Sequence, residues 1–339
     1  MTAMRPTVSV IIPVFNEERH IDGCLDAVAA QTYDGPVEVL VVDGRSTDRT
    51  RALVGRRPGV RLLDNPRRIQ AAALNIGLRE ATGDVVVRVD GHCTIAVDYV
   101  ASCVDALERT GAVMVGGAMR PVAEGWRQRG IAAAMSSRLG AGPARFHLGG
   151  PSGWVDTVYL GAYRRENALA VGGYAEDVGV NEDAEFAIRM SARGGIWYDE
   201  TIRSTYVPRS GFRPVVRQFY RYGRSRAATV RRHPRRLRVR QLLAPGLVVG
   251  LLSPQRRPVA AAYGVAVIAG AAARKAGERN AAPAYAVTLP AMHLSWGVGF
   301  IVGLLSPPGP PAEPMDGGDA GPGQRIPLDV HPHPVDERP

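Results

Sequence analysis

VVVRVDGHC, residues 85–93, is a run of valines that ends on Asp90, Gly91 and His92, with one arginine, Arg88, inside it. A short β-branched run bounded by turn residues reads as a buried strand. A strand that stops on a carboxylate delivers that carboxylate to whatever lies beyond the sheet edge. Two further runs of this kind precede it, at residues 8–12 (VSVII) and 37–42 (VEVLVV). Between and after the three runs lie helical patterns. Residues 17–31 put Ile21, Leu25, Val28 and Ala29 on one face, with Asn16 placed to cap the helix. Residues 68–81 group Ile69, Ala72, Ala73 and Ile76, and residues 97–109 group Val100, Cys103, Val104 and Leu107. Strand–helix–strand alternation repeated three times predicts a mainly parallel, doubly wound α/β sheet.

The bulk properties agree. The chain has 339 residues, 45% apolar and 22% charged, enough for one large α/β domain or two smaller ones. A formal charge of +10 favours an anionic partner: a phosphate-rich small molecule, a nucleic acid or an anionic lipid. The three cysteines, Cys24, Cys93 and Cys103, show neither metal-finger nor redox spacing, which fits a reducing compartment. The first apolar run is too short for a signal peptide, so the N-terminal part is expected in the cytoplasm.

Beyond residue 205 the character changes. Arginines crowd residues 213–240, including RRHPRRLRVR at 231–240. Apolar stretches follow at 242–252, 259–273 and 282–306. The third runs for about 25 residues without Asp, Glu, Lys or Arg, long enough to span a bilayer. The first two, about 11 and 15 residues, are short for a span. They fit interfacial or re-entrant helices or a paired hairpin, the alternative being core helices of a second domain. The arginines just before them favour the membrane, with the basic run at its surface. Residues 307–339, rich in Pro, Gly and Asp, are expected to form a disordered tail. The expected organisation is an α/β domain at 1–230, a basic and apolar membrane-associated segment at 231–306, and the tail.

In an open parallel sheet, ligands bind outside the carboxyl ends of the strands. Here those ends carry Pro13 to Glu17, Asp43 to Ser46 and Asp90 to His92. The first strand–helix turn lacks the glycine-rich dinucleotide fingerprint, which argues against a dehydrogenase. An acid after the second strand can accept hydrogen bonds from a base or ribose. A carboxylate after the later strand, with a second ligand two residues on, can hold a divalent cation against a diphosphate. Arg67 and Arg68 can face phosphates. Together these describe a nucleotide-diphosphate site without a P-loop.

VSVIIPVFNEE (8–18), VVDGRSTDRT (41–50), NPRRIQAAALNIGLREATGD (65–84), Asp90-Gly91-His92, VGGY (171–174), NEDAEFAIRM (181–190) and QFYRYG (218–223) follow one another in an order that resembles the family 2 glycosyltransferases. The resemblance covers about residues 7 to 230. VDTVYLGAYRRE (155–166) and MHLSWGVGFIVG (292–303) are in addition similar to the ExoA-type enzymes of succinoglycan biosynthesis, which are membrane-associated and act on a lipid-linked oligosaccharide. The resemblance implies a GT-A fold and inverting transfer of a hexose-type sugar. The donor would be a nucleotide diphosphate sugar, expected to be UDP-linked. The acceptor would be lipid-linked or a polysaccharide precursor, at the cell membrane, with the catalytic domain cytoplasmic. It implies Asp183 as catalytic base, with Glu182 as the fallback, and donor contacts from Pro13, Phe15, Glu17, Asp43, Arg68, Asp90, Gln218 and Arg221. Asp90 and His92 would hold Mg²⁺ or Mn²⁺; histidine stands where the family's DXD motif has its second aspartate.

Each assignment has a plainer alternative. Glu182 and Asp183 can simply complement a helix dipole, Asp43 can close an Asx turn, Phe15 can be core, and the Gln218–Tyr222 helix can face anionic lipid. Two other functions compete. A nucleotidyltransferase making nucleotide sugars needs a glycine-rich first turn, which VFNEERH lacks. A non-catalytic basic module binding nucleic acid or membrane leaves the ordered acidic motifs unexplained, and only Tyr220 and Tyr222 offer aromatic platforms. No nucleic-acid partner is expected.

Overall fold

The computed structural model describes residues 4–208, 211–273 and 280–306; the expected tail lies outside them. The chain runs β1 (Val8–Val14), α1 (Ile21–Ala29), β2 (Val37–Asp43), α2 (Thr50–Val54), β3 (Val60–Asp64), α3 (Gln70–Glu80), β4 (Val85–Arg88), β5 (Cys93–Ile95) and α4 (Tyr99–Thr110). It continues through β6 (Met114–Pro121), α5 (Gly125–Met135), α6 (Arg138–Ala141), α7 (Arg145–Leu148), β7 (Gly153–Val155), β8 (Tyr159–Arg164), α8 (Arg165–Ala170), α9 (Glu182–Met190) and β9 (Ile196–Tyr206). Four helices close it: α10 (Phe212–Arg232), α11 (Leu243–Leu252), α12 (Arg256–Ala272) and α13 (Ala282–Leu305).

One mixed sheet carries the order β3-β2-β1-β4-β8-β6-β9-β5, with β7 paired to β9. Its first half, β3-β2-β1-β4, is parallel. β8 is antiparallel to both β4 and β6, while β6 and β9 run parallel. Every residue of β1 is buried, as in a strand covered on both faces. Its side chains alternate between two apolar layers. Val8, Val10, Ile12 and Val14 join Ile21 and Leu25 of α1 and Val100 and Val104 of α4, while Ile11 joins Leu40, Leu74, Leu78 and Phe186 on the other face.

The turn after β1 differs from the sequence expectation. α1 begins at Ile21, so Asn16 is not its cap. Asn16 sits at φ 54, a left-handed conformation that asparagine tolerates, and its Oδ1 accepts from the Thr47 amide at 2.8 Å. It therefore stitches the β1 turn to the β2 turn.

A third apolar cluster lies outside the sheet and joins Ile131 and Met135 of α5 to Val215 of α10 and Tyr285, Leu289 and Met292 of α13. α10 and α13 touch backbone to backbone through glycines. A Cβ on Gly223 would stand 2.1 Å from the Trp296 carbonyl oxygen, and one on Gly299 would stand 2.1 Å from that of Tyr220. α13 is long and apolar enough to cross a membrane. α11 leaves Leu243, Val249 and Leu252 exposed, and α12 leaves Val265 and Ile268 exposed. Part of the 231–240 arginine run, though exposed, also pairs with other segments of the chain. Arg231 donates to the carbonyls of Leu304 and Ser306, Arg232 pairs with Asp177, and Arg238 pairs with Asp156.

The glycine seam gives a direct test. Gly299→Ala forces its methyl onto the Tyr220 carbonyl and should cost about 1–3 kcal/mol, the usual range for overpacking. A lower unfolding midpoint in denaturant melts checks this; an unchanged midpoint would mean that α10 and α13 are not so tightly joined.

Candidate active site

β1 has β2 on one side and β4 on the other, so the order of the sheet reverses at this pair. Such a switch point opens a crevice at the carboxyl ends of the two strands. A cleft of about 930 Å³ lies there. Pro13, Phe15 and Glu17 line it from the β1 turn, and Asp90 and His92 from the β4 turn. Glu182 and Asp183 enter from α9, and Gln218 and Arg221 from α10. Gly91 is required by space: a Cβ there would lie 2.8 Å from Val14 Cγ1.

The centre of the cleft floor is Arg88, a buried guanidinium on β4. Its Nε donates to Asp90 Oδ1 at 2.8 Å and its Nη2 to Asp90 Oδ2 at 3.4 Å. Its Nη1 donates to Glu182 Oε1 at 3.1 Å. One cation therefore holds two buried carboxylates that lie 92 positions apart (182 − 90). Desolvation pushes the Glu182 carboxyl up to about 7; Arg88 pulls it down, and neighbouring Asp183 adds to the rise. Asn181, just before α9, sits at φ 70 and turns Glu182 and Asp183 toward the cleft. Non-glycine residues held in this region cluster at functional sites. Among the described residues, Asp183 accepts only from its neighbour's amide, Ala184 N, at 2.7 Å. The two adjacent acids thus differ: Glu182 is tied to Arg88, and Asp183 faces the cleft.

Glu17 forms a second charged knot. His92 Nδ1 lies 3.0 Å from its Oε1, and His20 Nδ1 lies 3.3 Å from its Oε2. Burial alone would raise the Glu17 carboxyl, but His92 and His20 outweigh it and hold it at about 2.

Asp90, His92 and Cys93 place ligand atoms within 4.8 Å of one another. The Cys93 thiol is bonded to the Tyr159 hydroxyl at 2.9 Å, and burial pushes its ionisation well above the ordinary range. It remains a thiol and does not suit a hard cation. Asp90 and His92 do fit one: with Nδ1 held by Glu17, the imidazole is oriented as in carboxylate–histidine–metal arrangements. An oxygen and nitrogen donor pair suits Mn²⁺, with Mg²⁺ preferring oxygen.

Asp43 and Arg68 stand apart from the cleft wall. Asp43 is fully buried; it accepts from Ser46 Oγ at 2.5 Å, from Ser46 N at 3.0 Å and from Arg51 Nη1 at 2.7 Å. The Asp43 carboxylate thus closes the turn through Ser46, three residues on, and is capped by an arginine. The Arg68 guanidinium lies 5.7 Å from the centre of the Phe15 ring. Gln218 Nε2 donates to the Tyr222 hydroxyl at 2.7 Å, so the first and last residues of QFYRY lock to each other across one helical turn.

Sequence reasoning assigned no role to Arg88. Its signal was present, because a charged residue within a strand of valines must find carboxylates inside the fold. Gln70, 3.5 Å from Asp90 Oδ1, was also missed; nothing in its helical context marks it.

A mixed α/β sheet with acidic side chains gathered at the β1–β4 switch point is the layout of a GT-A glycosyltransferase. Residues 9–170 match the profile of glycosyl transferase family 2. The succinoglycan biosynthesis protein ExoA of Rhizobium meliloti is 33% identical over 311 residues, covering 87% of this chain and 94% of its own. A dolichyl N-acetyl-alpha-D-glucosaminyl phosphate 3-beta-D-2,3-diacetamido-2,3-dideoxy-beta-D-glucuronosyltransferase of Methanococcus voltae is 25% identical over 242 residues, or 66% of this chain and 74% of its own. Among solved structures, the mannosyltransferase PcManGT from Pyrobaculum calidifontis, in complex with GDP-Man and Mn²⁺, superposes with a TM-score of 0.57 at 26% identity, covering 89% of this chain and 88% of its own. The chain belongs to glycosyl transferase family 2 and is a glycosyltransferase.

Two measurements test the charged floor. Arg88→Met strands Asp90 and Glu182 without their shared cation and should cost about 3–5 kcal/mol, the usual penalty for breaking a buried pair. Adding Glu182→Gln should recover part of that loss in denaturant melts; no recovery would mean the pair is not coupled. For Glu17, a folded-state pKa below the ordinary 4.5 means the unfolded chain binds the proton more readily. Its contribution, on the order of 3 kcal/mol, is therefore present above pH 4.5 and lost as pH falls toward 2. Glu17→Gln should flatten this part of the stability–pH curve.

Proposed function

We propose that this glycosyltransferase transfers a hexose-type sugar, with inversion, from a nucleotide diphosphate donor to a lipid-linked acceptor in the synthesis of an extracellular or envelope polysaccharide. The observation that carries the reading is the single cleft in which Asp90 and Asp183 meet, joined through Arg88 and Glu182. The GDP-Man and Mn²⁺ bound by the mannosyltransferase support a nucleotide-sugar donor with a divalent cation. A UDP-linked donor is the one to test first.

Each group then has a task. Pro13 and Phe15 flank the nucleobase, and Asp43 acts through the turn it closes beside them. Asp90 and His92 would hold Mn²⁺ or Mg²⁺, which supplies positive charge to the leaving diphosphate when bound. Arg88 aims the Asp90 carboxylate, and Arg221 and Gln218 supply polar contacts on the opposite wall. A sugar hydroxyl is a weak nucleophile, so a carboxylate must take its proton as it attacks. Asp183 does this, from the face opposite the leaving group, so the anomeric configuration inverts. Glu182 cannot serve as readily, because Arg88 holds it.

The reading includes a membrane seat with the catalytic domain on the cytoplasmic side. α13 has the length and composition to insert, and α11 and α12 present bare apolar faces beside arginines. After a carbonate wash the chain should stay with the membrane fraction; full release would remove the seat from the account.

The chemistry is tested with purified chain in detergent, several nucleotide sugars, Mn²⁺ or Mg²⁺, and a membrane lipid extract as acceptor. Label should move to the lipid fraction from one donor. Asp183→Asn should lower transfer at least 100-fold, the lower range for general-base catalysis, with nucleotide diphosphate binding intact. If binding disappears with transfer, Asp183 is structural.

A further inference from the structure

The cleft has a second chemistry that the donor reaction does not use. Arg213, Arg217 and Arg221 recur every four residues along α10 and line the same cleft as Asp90 and Asp183. Positions four apart share a helix face, so the guanidinium groups stand in a row. The buried arginine of the floor has its carboxylates. In contrast, the side chains of Arg213 and Arg217 make no ion pair with any described residue. Both belong to the first two turns of α10, where the helix dipole is also positive. Two exposed guanidinium groups that line a cleft and pair with no described carboxylate favour an anionic ligand.

The neighbouring wall narrows the class. Met135 of α5 and Met292 of α13 line the cleft as well. Both belong to the apolar cluster that packs α5 and α10 onto α13, the helix long enough to cross a membrane. The cleft therefore combines carboxylates, guanidinium groups and an apolar wall. A bare carbohydrate would leave the arginines without partners. A phosphate or diphosphate carrying an alkyl chain matches both surfaces, and bidentate guanidinium binding suits phosphate oxygens.

We propose that Arg213 and Arg217 bind the phosphate or diphosphate that joins the acceptor glycan to its lipid, with the chain leaving past Met135 and Met292. This rests on the transfer reading above and names its acceptor class. It separates the two phosphate-bearing substrates: the donor sits at the Asp90–His92 end, the acceptor along α10.

Farnesyl diphosphate and farnesol, which differ only in the charged group, serve as probes for the full chain in detergent. Titrations are run with UDP and Mn²⁺ in excess, so that the donor end is filled. Wild type should bind farnesyl diphosphate at least tenfold more tightly than farnesol. The double variant R213Q/R217Q should lose at least tenfold in farnesyl diphosphate affinity while UDP affinity stays within twofold, which also reports a folded chain. The double variant R213K/R217K should keep part of the preference. Equal farnesyl diphosphate binding by wild type and R213Q/R217Q would overturn the proposal, and so would loss of UDP binding in that variant, which would place the arginines on the donor. A third arm measures flotation with phosphatidylcholine vesicles with and without phosphatidylglycerol. A variant that fails only on the anionic vesicles would assign the arginines to headgroups and overturn the acceptor role. If wild type binds no UDP, GDP replaces it; if it binds neither, the transfer reading fails separately, and the farnesyl diphosphate comparison run without nucleotide decides the arginines.

Discussion

The site depends on one guanidinium placed inside a sheet. A buried arginine on a strand of valines is tolerated only when its charge is compensated, because desolvating an unpaired ion costs several kcal/mol. Arg88 meets that constraint with Asp90, from the end of its own strand, and Glu182, from the start of α9. The pairing fixes more than charge. It sets the height of α9 over the sheet, so that Asp183, one residue beyond Glu182, opens onto the cleft. It also fixes the orientation of Asp90. The end of β4 and the start of α9 are thus held in register by a single side chain.

Around that centre the cleft is ordered by charge. The Glu17–His92–His20 knot holds the imidazole beside Asp90. Across from it, α10 carries its arginines and is itself anchored backbone to backbone on α13 by Gly223 and Gly299. The anchoring ties the wall of the cleft to α13, the long apolar helix.

Much of the fold was legible in the residues. The valine runs became β1, β2 and β4, and the three helical patterns became α1, α3 and α4, because each apolar period matches the layer it fills. The three apolar stretches became α11, α12 and α13. Asn16 misled, because its side chain serves the β2 turn and not the helix. The arginines at 231–240 stay exposed, as a lipid-facing run would, and Arg231, Arg232 and Arg238 also take partners within the chain; sequence position alone does not show which carbonyls and carboxylates meet them. α5 was also missed. Its run of alanine, glycine and arginine has no strong apolar period, and it docks through Gly130, where a Cβ would stand 2.3 Å from Ala284 Cβ. In the site, motif order brought Glu17, Asp90, His92, Glu182 and Asp183 to the cleft. Asp43 is engaged in its own turn, and the role of Arg88 emerged only from its partners.

The most direct measurement is an experimental structure of the chain soaked with UDP and Mn²⁺. The account expects the base against Pro13 and Phe15, the metal on Asp90 and His92 with the diphosphate beside it, and Asp183 open toward the acceptor side. A nucleotide bound elsewhere, or a metal held by Cys93 without Asp90, would contradict it.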